Sequence, residues 1–274
     1  MQTVTSQDGT TIAFDRIGSG SAGTVVLISG AFGYRQVPNT VELAQALAEN
    51  YGLRVLNYDR RGRGDSADSP GVYDSANEIA DIRALVEAEG GSAALFGWGS
   101  GAILALLAAR SGAITGITDV VAFEPPFVVD PKDHVPPKDA EEKLRERVAA
   151  GKRSGAVRYY MTKVMGVPGL VVAVMRMSSV WKKLVATADS TAHDFAVLKP
   201  FSRGETIQPE DWAALTAPTL LLIGDRSAPA LTKGAKKMAE VLPNAELREL
   251  PGVSNDPVAA ELAPAIGEFL TRTR

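Results

Sequence analysis

The segment from Ala93 to Ala102 is where the residue types and spacing of this sequence point most directly to chemistry. A short apolar run, Ala93–Phe96, predicts a strand, and Ile103–Arg110 predicts an apolar helix after a glycine-rich turn. In the pattern G-x-S-x-G, such a turn presents a nucleophilic hydroxyl at its third position. Here that position is Gly99, which adopts a strained turn easily but has no atom that can attack a substrate. The turn therefore predicts a site without its usual nucleophile.

This turn lies in a chain of alternating predicted strands and helices. Strands are predicted at Thr11–Arg16, Thr24–Ile28, Arg54–Tyr58, Ala93–Phe96, Val120–Phe123, Thr219–Ile223 and Glu246–Leu250. Helices are predicted at Pro38–Asn50, Asp74–Glu89, Ala102–Ala109, Thr232–Leu242 and Pro257–Thr271. Continuous apolar strand runs are typical of parallel strands covered on both faces. The alternation predicts an α/β fold with a doubly wound, mostly parallel sheet and function at the carboxyl ends of the strands.

The alternation stops between residues 127 and 200, where the sequence predicts three or four helices. We expect residues 1–126 and 201–274 to form the core and residues 127–200 to form an inserted helical cap, or lid. Helices are predicted within it at Glu141–Ala150, Ala156–Met165 and Leu170–Met177, with Ser178–Ala188 as an extension. The large apolar residues of this segment either pack between helices or line an adaptable pocket. Those assigned to a substrate pocket are Tyr160, Met161, Met165 and Trp181.

Several segments, taken in order, resemble the α/β-hydrolase family over nearly the whole chain. They are Ser29-Gly30-Ala31, the turn Asp59–Ser66, the turn at Gly99, the strand and loop Pro218–Asp225, and the loop Leu250–Asp256. The resemblance implies an α/β-hydrolase fold in which Ser29-Gly30-Ala31 is the oxyanion loop. It also implies that the backbone N–H groups of Ala31 and Ser100 stabilise an oxyanion, with Phe32 and Trp98 beside the substrate.

The sequence departs from the family pattern at the catalytic positions, so that the resemblance implies a degenerate triad. Gly99 occupies the nucleophile position and Asn255 the histidine position, and Ser227 stands where the acid usually follows the late strand. Some members place the acid one strand earlier, and Glu124 fits that site. Asparagine accepts no proton near neutral pH, so ordinary acyl-enzyme hydrolysis is disfavoured at two independent positions.

Four residues are candidates to replace the missing groups, each with a structural alternative. Ser100 is a possible nucleophile, but one residue further along the helix its side chain points about 100° away, which favours helix packing or capping. Asp256 is a possible base or the N-cap before Pro257. His193 is a possible acid or base, although a histidine beside an aspartate is more often a surface pair. Glu124 is either the working acid/base or a structural carboxylate.

Composition limits the partners. Charged residues make up 22% of the 274 residues and the net charge is −3, which argues against a nucleic-acid partner. Apolar runs are too short for a membrane span, and no signal peptide is recognised, so a cytoplasmic protein without a membrane partner is expected. The absence of cysteine excludes thiolate chemistry, and two histidines make a histidine metal site unexpected. No cofactor is expected, and a homodimer is left open.

Four functions remain open at this point. We favour a non-hydrolytic enzyme, of the cyclase, isomerase or lyase type, that acts on a small apolar metabolite through the oxyanion donors. The alternatives are an esterase-like hydrolase with an unorthodox nucleophile or base, and a catalytically inactive protein that binds a ligand. The last is a nicotinamide-dependent oxidoreductase, because Gly97-x-Gly99-x-x-Ala102 also matches a dinucleotide fingerprint. An Ala- and Arg-rich composition fits bacterial specialised metabolism.

Overall fold

Residues 1–254 and 258–272 are described by the computed structural model, and their strands form one sheet. The strands are β1 (Gln2–Thr5), β2 (Thr11–Ile17), β3 (Thr24–Ile28), β4 (Arg54–Tyr58), β5 (Ala93–Trp98), β6 (Ile117–Phe123), β7 (Thr219–Gly224) and β8 (Ala245–Leu250). Their order is β1-β2-β4-β3-β5-β6-β7-β8. Only the pairs β1–β2 and β2–β4 are antiparallel within these residues. The predicted α/β class with a mostly parallel sheet is confirmed.

The helices cover both faces of this sheet. They are α1 (Pro38–Tyr51), α2 (Ser75–Ala88), α3 (Ser100–Arg110), α4 (Ala140–Ala149), α5 (Arg153–Tyr159), α6 (Gly169–Met175), α7 (Ser179–Ala186), α8 (Thr191–Leu198), α9 (Pro229–Val241) and α10 (Ala259–Thr271). Helices α1 and α10 pack together on one face, and α2, α3 and α9 contribute to the core on the other. Apolar residues are therefore buried on both faces of the central strands. Their removal from water is the main contribution to the stability of such a fold.

Local signals set several of the helix ends. The side chain of Asp74 accepts a hydrogen bond from the N–H of Ala76 at 2.9 Å, as predicted for the N-cap of α2. Helix α1 ends at Gly52, whose left-handed backbone returns hydrogen bonds to the last carbonyls of the helix. Pro229 begins α9, where its missing N–H has no helical partner to lose.

The inserted helices lie between β6 and β7 along the chain. Helix α8 packs against α3 and α4 and belongs to the core below it. The part from α5 to α7 forms a separate small apolar cluster of Val157, Met161, Val172, Trp181 and Ala188. A single stretch of π-helix, Tyr160–Val164, continues α5 and changes the register of its side chains. The limits 127 and 200 of the cap stay a prediction. None of the helices in the described ranges has the length and apolar character needed to span a bilayer.

Candidate active site

Gly99 lies at the point where β5 ends and α3 begins, in a strained turn. Its backbone angles are φ 55° and ψ −126°, outside the regions that residues with side chains prefer. The N–H of Gly99 donates to the carbonyl of Phe123 at 3.1 Å, which fixes the turn against the end of β6. The sharp turn that normally presents a nucleophile is thus formed here around a residue without a side chain.

The glycines on either side of Gly99 are required by close packing, whereas Gly99 is not. A Cβ on Gly97 would lie 2.2 Å from the carbonyl oxygen of Gly101, and one on Gly101 would lie 2.1 Å from that of Ile28. A Cβ on Gly99 would meet nothing closer than the Cα of Gly30, at 3.8 Å, which is ordinary contact. Space for a side chain is therefore present at position 99.

The loop after β3 lies beside the turn at Gly99 and contains Ala31, the second predicted oxyanion donor. Phe32 has a positive φ of 62°, which is uncommon for a residue with a side chain and indicates a constrained loop. Within the described ranges, neither the N–H of Ala31 nor that of Ser100 donates to another group of the protein. The guanidinium of Arg63 holds this loop by donating to the carbonyls of Gly30 and Gly33, at 2.6 and 2.9 Å. The two N–H groups can therefore donate to a substrate oxygen.

Glu124 directly follows β6, next to the turn at Gly99. It is buried and has a positive φ of 49°, a conformation that non-glycine residues adopt at a cost of about 1–3 kcal/mol. Its carboxylate accepts hydrogen bonds from the Ser227 hydroxyl and, at 3.3 Å, from the N–H of Gly224. The two positions where the acid was sought, Glu124 and Ser227, thus contact each other. Asn255 and Asp256 lie outside the described residues.

Ser100 is used by a buried polar network. Its side chain is 2% exposed, and its hydroxyl donates to Oδ1 of Asp194 at 2.6 Å and accepts from Nη1 of Arg60 at 3.2 Å. Asp194 is already paired with two guanidinium groups, those of Arg60 and Arg63, at 2.9 and 2.7 Å. A hydroxyl held between a guanidinium and a doubly paired carboxylate has no strong base to remove its proton. These contacts favour the structural interpretation of Ser100 over the nucleophilic one.

The same network joins the inserted helices to the core. Arg60 also makes a two-point contact with the Glu78 carboxylate, with both N···O distances 2.6 Å, and both side chains are buried. Burial alone would raise the pKa of Glu78, but the nearby guanidinium outweighs it and holds that pKa at about 2. Because Asp194 belongs to α8, its pairs with Arg60 and Arg63 fasten α8 beside the oxyanion loop.

His193 is buried, so the interpretation as a surface pair is wrong. Its ring stacks on that of Tyr73, with centroids 4.1 Å apart and an angle of 7° between the planes. Burial lowers the pKa of His193, although Asp68, with the nearest carboxylate oxygen 3.7 Å from Nε2, opposes this. A neutral imidazole is therefore favoured in the folded protein. His193 directly precedes Asp194 on α8, and within the described residues it has no hydrogen bond or ion pair with Gly99.

The remaining predicted residues divide into three places. Tyr160 is buried and meets Phe32 edge to face at 5.3 Å, next to the oxyanion loop. Met161 and Trp181 lie in the small apolar cluster of the inserted helices, against which Phe32 also packs. Trp98 packs in the core beside Phe96, with ring centroids 5.8 Å apart.

Met165 lies on the surface, where 52% of it is exposed. It comes directly after the π-helical stretch, which shifts the side-chain register away from the pattern that the sequence suggests. The structure therefore brings together Gly99, Ser100, Ala31, Phe32 and Tyr160 and leaves Met165 outside that group.

Sequence reasoning missed Asp194 and the arginines that it pairs with. The signal was present in Asp59–Ser66, where three arginines follow a strand, because buried guanidinium groups need carboxylate partners. The partner is 134 residues away from Arg60, and nothing in the local pattern identifies it. Among the residues that the structure describes, no group of three or more potential ligands is arranged to hold a metal ion.

Comparison with known proteins agrees with this geometry. The family model described as "Alpha/beta hydrolase family" matches residues 25–264. The chain belongs to the α/β-hydrolase family. The predicted α/β-hydrolase fold is thereby confirmed.

Solved structures show the same fold. An α/β hydrolase from Sphaerobacter thermophilus DSM 20745 is 40% identical, with a TM-score of 0.87, and the alignment covers 98% of this chain and 100% of that one. An esterase from Exiguobacterium antarcticum is 20% identical over 99% of each chain, with a TM-score of 0.72. The enol-lactonase from Burkholderia xenovorans LB400 is 19% identical over 99% of this chain and 100% of that one, with a TM-score of 0.71. No match was found among curated proteins.

Proposed function

We propose that this α/β-hydrolase-family protein is an enzyme that acts on a small, largely apolar carbonyl compound without an acyl-serine intermediate. The observation that carries the proposal is Gly99, which keeps the strained geometry of the family's turn with open space where the hydroxymethyl group would lie. A glycine adopts this backbone conformation without strain, so the turn is kept here although its usual side chain is missing.

The favoured reaction is hydrolysis with water as the nucleophile. The N–H groups of Ala31 and Ser100 polarise the substrate carbonyl, and water in the space beside Gly99 attacks its carbon. Glu124 takes the proton from that water as the C–O bond forms, and returns it to the leaving oxygen when the acyl–oxygen bond breaks. This is an unorthodox nucleophile in a hydrolase site, and it is in keeping with neighbours described as an esterase and an enol-lactonase.

The second candidate is the non-hydrolytic chemistry that the sequence favours. It is supported by partly buried Phe32 and buried Tyr160, which present aromatic surface next to the oxyanion loop and would exclude water from a bound substrate. Under that alternative the same donors stabilise an enolate or alkoxide while Glu124 moves a proton within the substrate. The degenerate triad is common to both candidates.

Isotope labelling separates the two candidates. A panel of short-chain esters, lactones and enolisable ketones is screened, and each converted compound is then incubated in H₂¹⁸O with enzyme in excess. Hydrolysis predicts one ¹⁸O in the acid product and no acyl adduct in the intact-protein mass spectrum. Non-hydrolytic chemistry predicts a product without ¹⁸O, and an isomerase predicts unchanged substrate mass.

An acyl adduct that disappears in Ser100→Ala would contradict both candidates. Binding of several compounds, seen as raised melting temperatures without conversion of any, would favour the inactive ligand-binding protein instead.

A further inference from the structure

The surface around α6 carries apolar side chains that no other part of the described chain covers. Of the seven residues of α6 only Val172 is buried. Leu170 and Met177 are 80% and 82% exposed, and Met165, Val171, Val174 and Val180 are each about half exposed. We call these six residues the α6 face. Contiguous exposed apolar side chains on a folded protein indicate an interaction surface.

The charge around the α6 face has one sign. Between Glu146 and Asp189 the sequence contains no acidic residue, although the net charge of the chain is −3. The same stretch contains eight basic residues, Arg147, Lys152, Arg153, Arg158, Lys163, Arg176, Lys182 and Lys183. Within the described residues, Arg153 is the only one of these eight that pairs with a carboxylate, that of Asp189. A partner of negative charge is therefore favoured at this surface.

A basic cavity borders the start of α6. It has a volume of about 330 Å³ and is lined by Arg147, Arg158, Tyr159, Thr162, Lys163 and Gly169. The guanidinium of Arg147 lies over the ring of Tyr159, 4.3 Å from its centroid, which limits its motion. Three cations and the Tyr159 hydroxyl around one cavity form a site suited to a phosphate group, whereas the Thr162 hydroxyl already donates to the carbonyl of Arg158.

We propose that the α6 face is a peripheral docking surface for an anionic lipid bilayer. Its apolar side chains enter the boundary between headgroups and acyl chains, the surrounding basic side chains pair with lipid phosphates, and the basic cavity receives one of these headgroups. The expectation of no membrane partner was based on the length of apolar runs. That length excludes only segments that span a membrane. A peripheral contact needs no more than one short exposed apolar helix with basic flanks.

Charge argues against a second copy as the occupant. A twofold interface places the same patch on both sides, so basic residues of one copy would lie close to basic residues of the other. Like charges brought together in this way oppose association. An anionic bilayer instead attracts the basic side chains that have no carboxylate partner, and the α6 face then lies in the lipid with the inserted helices beside it.

Vesicle sedimentation with the full-length protein tests the proposal. We expect binding to phosphatidylcholine vesicles that contain 25% phosphatidylglycerol, weak binding to pure phosphatidylcholine, and loss of most binding in 0.5 M NaCl. Each removed charge lowers the partition coefficient about fivefold, so Arg158→Gln/Lys163→Gln lowers it about 25-fold. Leu170→Glu is expected to lower it at least tenfold. All of these side chains are exposed, so melting temperatures should stay within about 2 °C of the wild type.

Matched substitutions on other surfaces provide the control. Val72 is 87% exposed and Lys236 is exposed on α9, so Val72→Glu and Lys236→Gln should leave vesicle binding within twofold. Equal binding to neutral vesicles, or no binding to anionic ones, would overturn the proposal. So would a dimer in light scattering that Leu170→Glu dissociates, which would identify a second copy as the occupant. Stabilisation by inorganic phosphate without vesicle binding would assign the cavity to a soluble phosphate instead.

Discussion

Filling the open space at Gly99 with a methyl group separates backbone strain from loss of function. In Gly99→Ala the new Cβ lies 3.8 Å from the nearest heavy atom, so it causes no clash. The cost comes from the positive φ of 55° and amounts to about 1–3 kcal/mol for a residue with a side chain. At about 2 °C per kcal/mol for a chain of this size, the melting temperature should fall by roughly 2–6 °C. The methyl group also occupies the position assigned to water, so turnover of any identified substrate should fall at least about 100-fold.

Gly112→Ala is the matched control for this prediction. Gly112 follows the other end of the same helix α3, has a φ of 68°, and has nothing within 4 Å of an added Cβ. It should lose a similar amount of stability and keep full activity. Calorimetry and initial rates on both variants are the measurements. If Gly99→Ala keeps wild-type turnover, the space beside Gly99 is not used by the reaction and the proposed mechanism fails.

Three further predictions concern the groups around this turn. Asp194→Asn breaks a buried ion pair with two arginines and should lower the free energy of unfolding by about 3–5 kcal/mol, or the melting temperature by about 6–10 °C. Asp189→Asn removes an exposed pair and should leave stability nearly unchanged. Equal losses in chemical denaturation would contradict the assignment. Because burial lowers the pKa of His193, the unfolded chain binds more protons below about pH 6.5, so the free energy of unfolding should fall from pH 7 to pH 5. His193→Phe should flatten that slope and exposed His134→Gln should not. Glu124→Gln should reduce turnover about 10²–10⁴-fold with an unchanged melting temperature; retained activity would make Glu124 a structural carboxylate.

Strands and turns that are determined by neighbouring residues were predicted closely from the sequence. Strands β3 and β4 begin and end at the predicted residues. Strand β3 is a continuous apolar run, which is typical of a buried parallel strand. The turn at Gly99 was also predictable, because its flanking glycines, Gly97 and Gly101, stand where close packing leaves no room for a side chain. Strand β1, only four residues long and mostly exposed, carries no such pattern and was not predicted.

Elements and side chains whose positions depend on contacts between distant parts of the chain could not be predicted from the sequence. Helix α8 was not predicted because nearly all of its residues are buried, which leaves no apolar–polar period to read. His193 and Asp194 were placed at the surface on residue type alone, yet buried partners from the turn after β4 and from the segment before α2 hold them inside. The network around Ser100 likewise depends on contacts across more than 90 residues.

Our central claim is that this chain keeps the family's strand-to-helix turn but has no nucleophile in it. Restoring the missing serine and histidine side chains tests this claim most directly. The wild type and the variants Gly99→Ser, Asn255→His and Gly99→Ser/Asn255→His are each incubated with a fluorophosphonate probe and analysed by intact-protein mass spectrometry. Our account predicts no adduct on the wild type, and one adduct at position 99 on the double variant, with Glu124 as the acid. An adduct on the wild type, at Ser100 or at any other serine, would contradict it.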